Sequence, residues 1–139
     1  METSFDSTPL IADEASRHVR WAGHALTGVT TLFLIFDGTM KVVGHPAVAE
    51  ASVRLGLPME MNPLVGSLLF VCLATHLVRR TAVIGAVLLT GYLGGAVFAQ
   101  LRIDAPLLTH TLFPVYLGAM LWAGLFLRDR RARQLIARA

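Results

Sequence analysis

Two ionisable residues, Asp37 and Lys41, follow directly on a long uncharged apolar run. Because they are four residues apart, a helix places them on one face, where a carboxylate and an ammonium group can pair. Pairing offsets part of the roughly 2.5 to 3.5 kcal/mol that each charge would cost at the centre of a bilayer. Ionisable groups in such surroundings are candidates for proton exchange or for binding a polar ligand.

Other polar residues fall at a similar depth. Asp37 lies about 24 Å along a helix from the start of its apolar run, close to the far membrane boundary. Gln100 and His110 flank the connection between the third and fourth apolar runs on that side, and Tyr92 and Tyr116 lie deeper, where each needs a hydroxyl partner. The candidate ligand-binding or proton-exchange residues are Asp37, Lys41, Gln100, His110, Tyr92 and Tyr116.

The same residues also have a structural interpretation, which the sequence leaves open. Lys41 can extend its ammonium group to the lipid headgroups. Asp37 can then cap local backbone or bond to Gln100 and His110. On this interpretation the cluster holds helices together and binds nothing.

The remaining chemically active residues give weaker signals. His24 and His76 lie at similar depth near the opposite boundary, but haem ligation is disfavoured because it needs facing geometry and room for a macrocycle. Bonds to headgroups or carbonyl groups are expected for both. The single cysteine, Cys72, is interpreted as a small residue facing lipid or the bundle. No metal-binding or soluble-enzyme motif is present, so no catalytic residues are assigned.

The composition requires a lipid solvent around these residues. Hydrophobic residues make up 55% of the chain, charged residues 15%, and the mean hydropathy is +0.62. A soluble domain of this size would need far more polar surface. The arginines lie at the ends of apolar runs, as suits phospholipid headgroups, so nucleic acid is not expected as a partner.

These patterns predict an all-α, four-helix transmembrane bundle. A polar tail is predicted at 1–19, with room for a short surface helix, and a basic tail at 129–139. Between them lies a membrane domain at 20–128, with spans predicted at about 21–43, 62–78, 82–101 and 106–127. Nine of the twelve Lys and Arg residues flank one side and three the other. Because cytoplasmic flanks carry the excess, both termini are predicted in the cytoplasm.

The first connection, from Gly44 to Met61, is long enough for a short amphipathic helix beginning at Pro46, on the extracytoplasmic side. Helices in lipid associate through small residues and polar contacts. The third span, which is rich in small residues, is therefore predicted to be the central helix and to pack against other helices of the same chain. Pro114 is predicted to kink the fourth span. The helix-packing residues are predicted to be Gly85, Gly91, Gly94, Gly95 and Gly118, with Gly91 and Gly95 in a G-x-x-x-G spacing.

Three segments of the chain resemble the DoxX-like family of small bacterial membrane proteins. Asp37 to Lys41 is similar to the Gly-x-x-Lys that closes its first helix, with Gly38 and Lys41 as the family-marking positions. Arg79 to Ala96 and Leu112 to Gly118 continue the resemblance. It implies a four-helix bundle in the bacterial inner membrane. Relatives within the broader group are linked to quinone-coupled sulfur oxidation and oxidative-stress complexes.

Three functions are compatible with these observations. The first is a redox-associated subunit whose polar cluster binds a quinone or a similar small ligand. The second is a non-enzymatic scaffold or assembly subunit, as a homodimer or within a larger membrane complex. The third is a small proton-coupled transporter, which would need an acid reachable from both sides, whereas Asp37 lies near one surface.

Overall fold

The computed structural model describes the backbone of residues 8–137 and the side chains of residues 16–130 and 132–134. The helices are α1 Thr8–Val43, α2 Pro46–Arg54, α3 Asn62–Leu77, α4 Ala82–Leu101, α5 Phe113–Arg128 and α6 Arg130–Ala137, with a 3-10 turn at Met59–Met61 and a π turn at Leu107–Thr111. The four segments long and apolar enough to cross a membrane are Ser16–Val43, Met59–Leu77, Ala82–Leu101 and Leu107–Arg128. The predicted all-helical bundle with four membrane-length helices is therefore confirmed.

Helix α1 starts well before position 20, where the polar tail was predicted to end. Residues 12–15 include two alanines and a glutamate, which favour helix, and extending an existing helix needs no new nucleation. Residues 1–7 of the predicted tail lie outside the described residues. At the other terminus, α6 occupies most of the predicted basic tail.

The four long helices form a closed ring. Helix α1 packs against α3 and α5, and α4 packs against the same two helices. Leu34, Leu69, Leu89 and Leu121, one from each helix of the ring, are fully buried between them. Each helix of the ring packs mainly against two others, so no helix is central and the prediction of a central third span is wrong.

The ring has two chemically different ends. Arg20, the connection 78–81 and α6 lie at one end, which we call the arginine end. Helix α2 and the connection 102–106 lie at the other, which we call the α2 end.

Pro114 interrupts the fourth span at the α2 end. Because proline has no N–H group, it cannot bond to the carbonyl of His110. The chain relaxes into a π turn, in which the N–H of Leu112 donates to the carbonyl of Leu107 at 2.9 Å, and α5 starts at Phe113. The predicted kink thus takes the form of a π turn.

Three glycines allow α1 to approach α3 and α5 closely. A Cβ added at Gly66 would lie 2.9 Å from the carbonyl oxygen of Gly38, where α1 crosses α3. One added at Gly23 would lie 2.8 Å from Leu127 Cβ, and one at Gly124 would lie 2.7 Å from Thr27 Oγ1, where α1 crosses α5. Glycine at these positions sets the spacing of the bundle.

The predicted packing glycines of α4 do not behave alike. Gly85 faces α3, and a Cβ there would lie 2.7 Å from His76 Cβ and closer still to the His76 backbone. Gly91, Gly94 and Gly95 are exposed, with nothing described within 4 Å of an added Cβ. Their predicted packing within one chain is corrected, because the buried face of α4 is that of Ala82, Gly85, Ala86, Leu89 and Leu93. In α5, a Cβ at Gly118 would make an ordinary contact with Leu93 at 3.7 Å.

Candidate functional site

Asp37 and Lys41 form an ion pair on the last turns of α1, with the ammonium group donating to Asp37 Oδ2. The Asp37 side chain is 32% exposed and the Lys41 side chain is 20% exposed, so the pair is partly buried but still accessible. Its position is fixed by the crossing of α1 and α3, where a Cβ at Gly66 would lie 3.0 Å from Lys41 Cβ. The ring of Phe70 covers Gly38, 3.0 Å from the position of an added Cβ.

Two further helices bring polar groups towards this pair. Tyr92 of α4 is half-buried and lies within electrostatic range of Asp37 and Cys72, although no hydrogen bond described in the structure joins it to either residue. Cys72 of α3 is buried, with 5% of its surface exposed. We call Asp37, Lys41, Cys72 and Tyr92 the polar site. It combines an acid, a cation, a thiol and a phenol from three helices.

Cys72 is a member of this site that sequence reasoning missed. A cysteine in an apolar run usually fills space as a small hydrophobic residue. Nothing in its spacing distinguishes it from such a residue, and only the packing of α3 against α4 brings it within electrostatic range of Tyr92.

Two hydrogen bonds attach α2 to this end of the bundle. The hydroxyl group of Ser52, which is buried, donates to Asn62 Oδ1 at the start of α3, at 2.9 Å. The guanidinium group of Arg102 donates to the carbonyl of Leu55 at 2.9 Å. Gly56 adopts a φ of +63° beside that guanidinium group, a conformation that glycine accepts without strain. These bonds hold α2 in place on the bundle.

Three predicted site residues lie apart from the polar site. His110 is exposed on the π turn, with its Nδ1 2.8 Å from Thr109 Oγ1. Tyr116 is 46% exposed, outside the buried face of α5, so the expectation that it bonds inside the bundle is corrected. Gln100 is half-buried near the end of α4, and no described hydrogen bond joins it to Asp37 or Lys41.

The two histidines at the arginine end have different surroundings. His24 is exposed. His76 is fully buried, with its Nδ1 2.9 Å from the carbonyl oxygen of Ala82, while its Nε2 has no partner among the described residues. The bond to Ala82 joins the end of α3 to the start of α4 beside the close approach at Gly85.

Comparison with known proteins gives one match. The sequence model of the DoxX-like family matches residues 25–124, a range that contains the whole polar site. No curated protein and no solved structure matches the chain significantly.

Proposed function

The chain belongs to the DoxX-like family of membrane proteins, and from the geometry of its polar site we propose that it binds a quinone headgroup or a similar small ligand with a carbonyl oxygen. The observation that supports this most directly is the accessible Asp37 and Lys41 ion pair at the edge of the apolar bundle. A partly exposed ion pair avoids the full desolvation cost of a buried pair and leaves both groups within reach of a ligand.

The proposed chemistry uses each member of the site. The Lys41 ammonium group donates to a carbonyl oxygen of the ligand, and Asp37 holds that ammonium group in place. In this proposal Tyr92 donates its hydroxyl group to a second oxygen of the ligand, and Asp37 exchanges a proton with the bound headgroup. A quinone is soluble in the bilayer, so it can reach an accessible site at the edge of the bundle through the lipid.

The proposed function includes an orientation of the protein in the membrane. Both termini lie in the cytoplasm, because the arginine-rich flanks follow the distribution of cytoplasmic loops. The polar site then faces the outer leaflet of the bacterial inner membrane. The electrons for quinone chemistry come from a partner in a larger membrane complex, while this chain binds the headgroup and moves protons.

Thermal unfolding of the purified protein with a short-chain ubiquinone analogue tests the proposal. At ligand concentrations about tenfold above Kd, binding should raise the free energy of unfolding by about 1.4 kcal/mol. Asp37→Asn and Lys41→Met should abolish this increase. Glu60→Gln and Arg54→Gln, which change exposed residues at the α2 end, should retain it. An increase of equal size in all five proteins, or none in the unmodified protein, would refute quinone binding at this site.

A second function, that of a scaffold, is supported by the exposed glycines of α4. Gly91, Gly94 and Gly95 form an open surface on which another helix could pack closely. A groove of about 370 Å³ lies beside it, between α4 and α5, with Trp122 and Thr90 joined by a hydrogen bond of 2.9 Å in its lining.

The scaffold function predicts a selective effect of Gly91→Leu. The larger side chain should abolish assembly with a partner, because it keeps the other helix at a distance, while leaving the monomer folded. Blue-native electrophoresis of detergent-extracted membranes measures the assembly. Asp37→Asn should assemble normally under this function. Loss of assembly in Asp37→Asn with normal assembly in Gly91→Leu would contradict it.

A further inference from the structure

A second polar feature lies at the arginine end, far from the polar site. A groove of about 670 Å³ opens where α6 meets the end of α5 and the part of α1 around Ser16 to Arg20. Four arginines from three helices line it: Arg20, Arg128, Arg130 and Arg133. Val19 and Leu127 supply an apolar part of the same lining.

The geometry of α6 explains how these arginines converge. The chain is extended at Asp129, so α6 changes direction directly after α5. Ala132 is only 1% exposed, which shows that one side of α6 packs on the bundle. Arg130 and Arg133 are three residues apart and share a helix face. Both side chains are exposed and line the groove.

The lining of the groove is positive as far as the structure describes it, because it contains four arginines. None of the described residues that line it is acidic. Asp129, beside the groove, interacts electrostatically with Arg128 and offsets part of that charge. Guanidinium groups held together repel one another, and a bound anion removes that repulsion.

We infer that this groove binds the phosphate group of an anionic phospholipid. Arginine forks match phosphate oxygens in a bidentate manner, and several of them converge here. The apolar lining by Val19 and Leu127 suits the glycerol and upper acyl carbons of a lipid, which a free phosphate ion lacks. The groove also lies where the membrane-length segment Ser16–Val43 begins and Leu107–Arg128 ends, so a bilayer around these segments would bring lipid headgroups to it.

This site is independent of the proposed quinone site. All four arginines lie outside residues 25–124, which match the family model. The lipid site therefore belongs to the flanking segments of this chain.

Native mass spectrometry of the full-length protein in a neutral detergent tests the lipid site. Titration with phosphatidylglycerol should give one saturable adduct, and the same titration with phosphatidylcholine should give at least tenfold weaker binding. Arg20→Gln and Arg133→Gln should each weaken phosphatidylglycerol binding about five-fold, and the double variant about 25-fold.

Two controls separate the site from general charge effects and identify the source of the phosphate. Arg80→Gln, an exposed arginine at the same end outside the groove, should leave binding unchanged, and Arg133→Lys should retain most of it because the charge remains. Inorganic phosphate at millimolar concentration should not displace the lipid. Displacement would assign the site to a free phosphate and overturn the lipid assignment. Equal binding by Arg20→Gln, Arg133→Gln and Arg80→Gln would overturn the site itself.

Discussion

Gly85→Ala is expected to destabilise the bundle by about 3 kcal/mol, the largest effect of a single methyl group in this chain. The added Cβ would meet the backbone nitrogen and Cα of His76, which cannot move without displacing the end of α3. His76 is further held by its bond to the carbonyl of Ala82. Reversible unfolding in mixed detergent micelles measures the loss.

Gly91→Ala is the matched control, because it makes the same substitution on the same helix. Nothing described lies within 4 Å of its added Cβ, and alanine favours helix over glycine by about 0.5–1 kcal/mol. This variant should therefore unfold at a denaturant concentration equal to or slightly higher than that of the unmodified protein. Equal destabilisation of Gly85→Ala and Gly91→Ala would show that α4 does not present the Gly85 face to α3.

The Asp37 and Lys41 pair should respond asymmetrically to the loss of either partner. Lys41→Met should cost about 2 kcal/mol, because a short carboxylate side chain near the hydrocarbon cannot extend to water. Asp37→Asn should cost about 1 kcal/mol, because the Lys41 ammonium group can extend to the headgroups on its flexible chain.

The double variant, Asp37→Asn with Lys41→Met, completes the cycle. It removes both charges, so its cost should be less than that of Lys41→Met alone. The same micelle unfolding assay measures all three proteins. Additive costs would show that the two groups do not interact, against the hydrogen bond between them.

The sequence was sufficient to predict the four membrane-length helices, because the bilayer sets a length and a polarity that the chain must meet. The spans predicted at 82–101 and 62–78 correspond closely to α4 and α3. Helix α2 was also predictable, since Pro46 and the glycine and proline that follow its end mark its limits. The sequence left room for a short surface helix in the polar tail, but it did not show that this helix would be continuous with the first span.

Helix faces were harder to predict than helix ends. In α4 the surroundings are apolar on both sides, whether lipid or protein, so hydrophobicity does not distinguish inside from outside. Glycine spacing pointed to Gly91 and Gly95, whereas the buried glycine is Gly85. The signal that was available is the run of small residues Ala82, Gly85 and Ala86, which share one face near the connection to α3.

The depth of the candidate site residues along the bundle was predictable, but the direction in which their side chains point was not. The rise along each helix placed Asp37, Tyr92 and His110 in the same half of the bundle. The rotation of each helix about its axis decides which of them meet, and it leaves Tyr92 half-buried and His110 exposed. The π turn before Pro114 contributes, because it changes the phase of the fourth span.

Photolabelling with an azidoquinone, followed by mass spectrometry of the digested protein, tests the central claim most directly. Ligand binding at the polar site predicts that the label falls on α1 around Asp37 and Lys41 and on α4 around Tyr92. Unlabelled quinone should compete with it, and Lys41→Met should remove it. Label confined to the groove between α4 and α5, around Thr90 and Trp122, or spread evenly over lipid-facing residues, would contradict the claim.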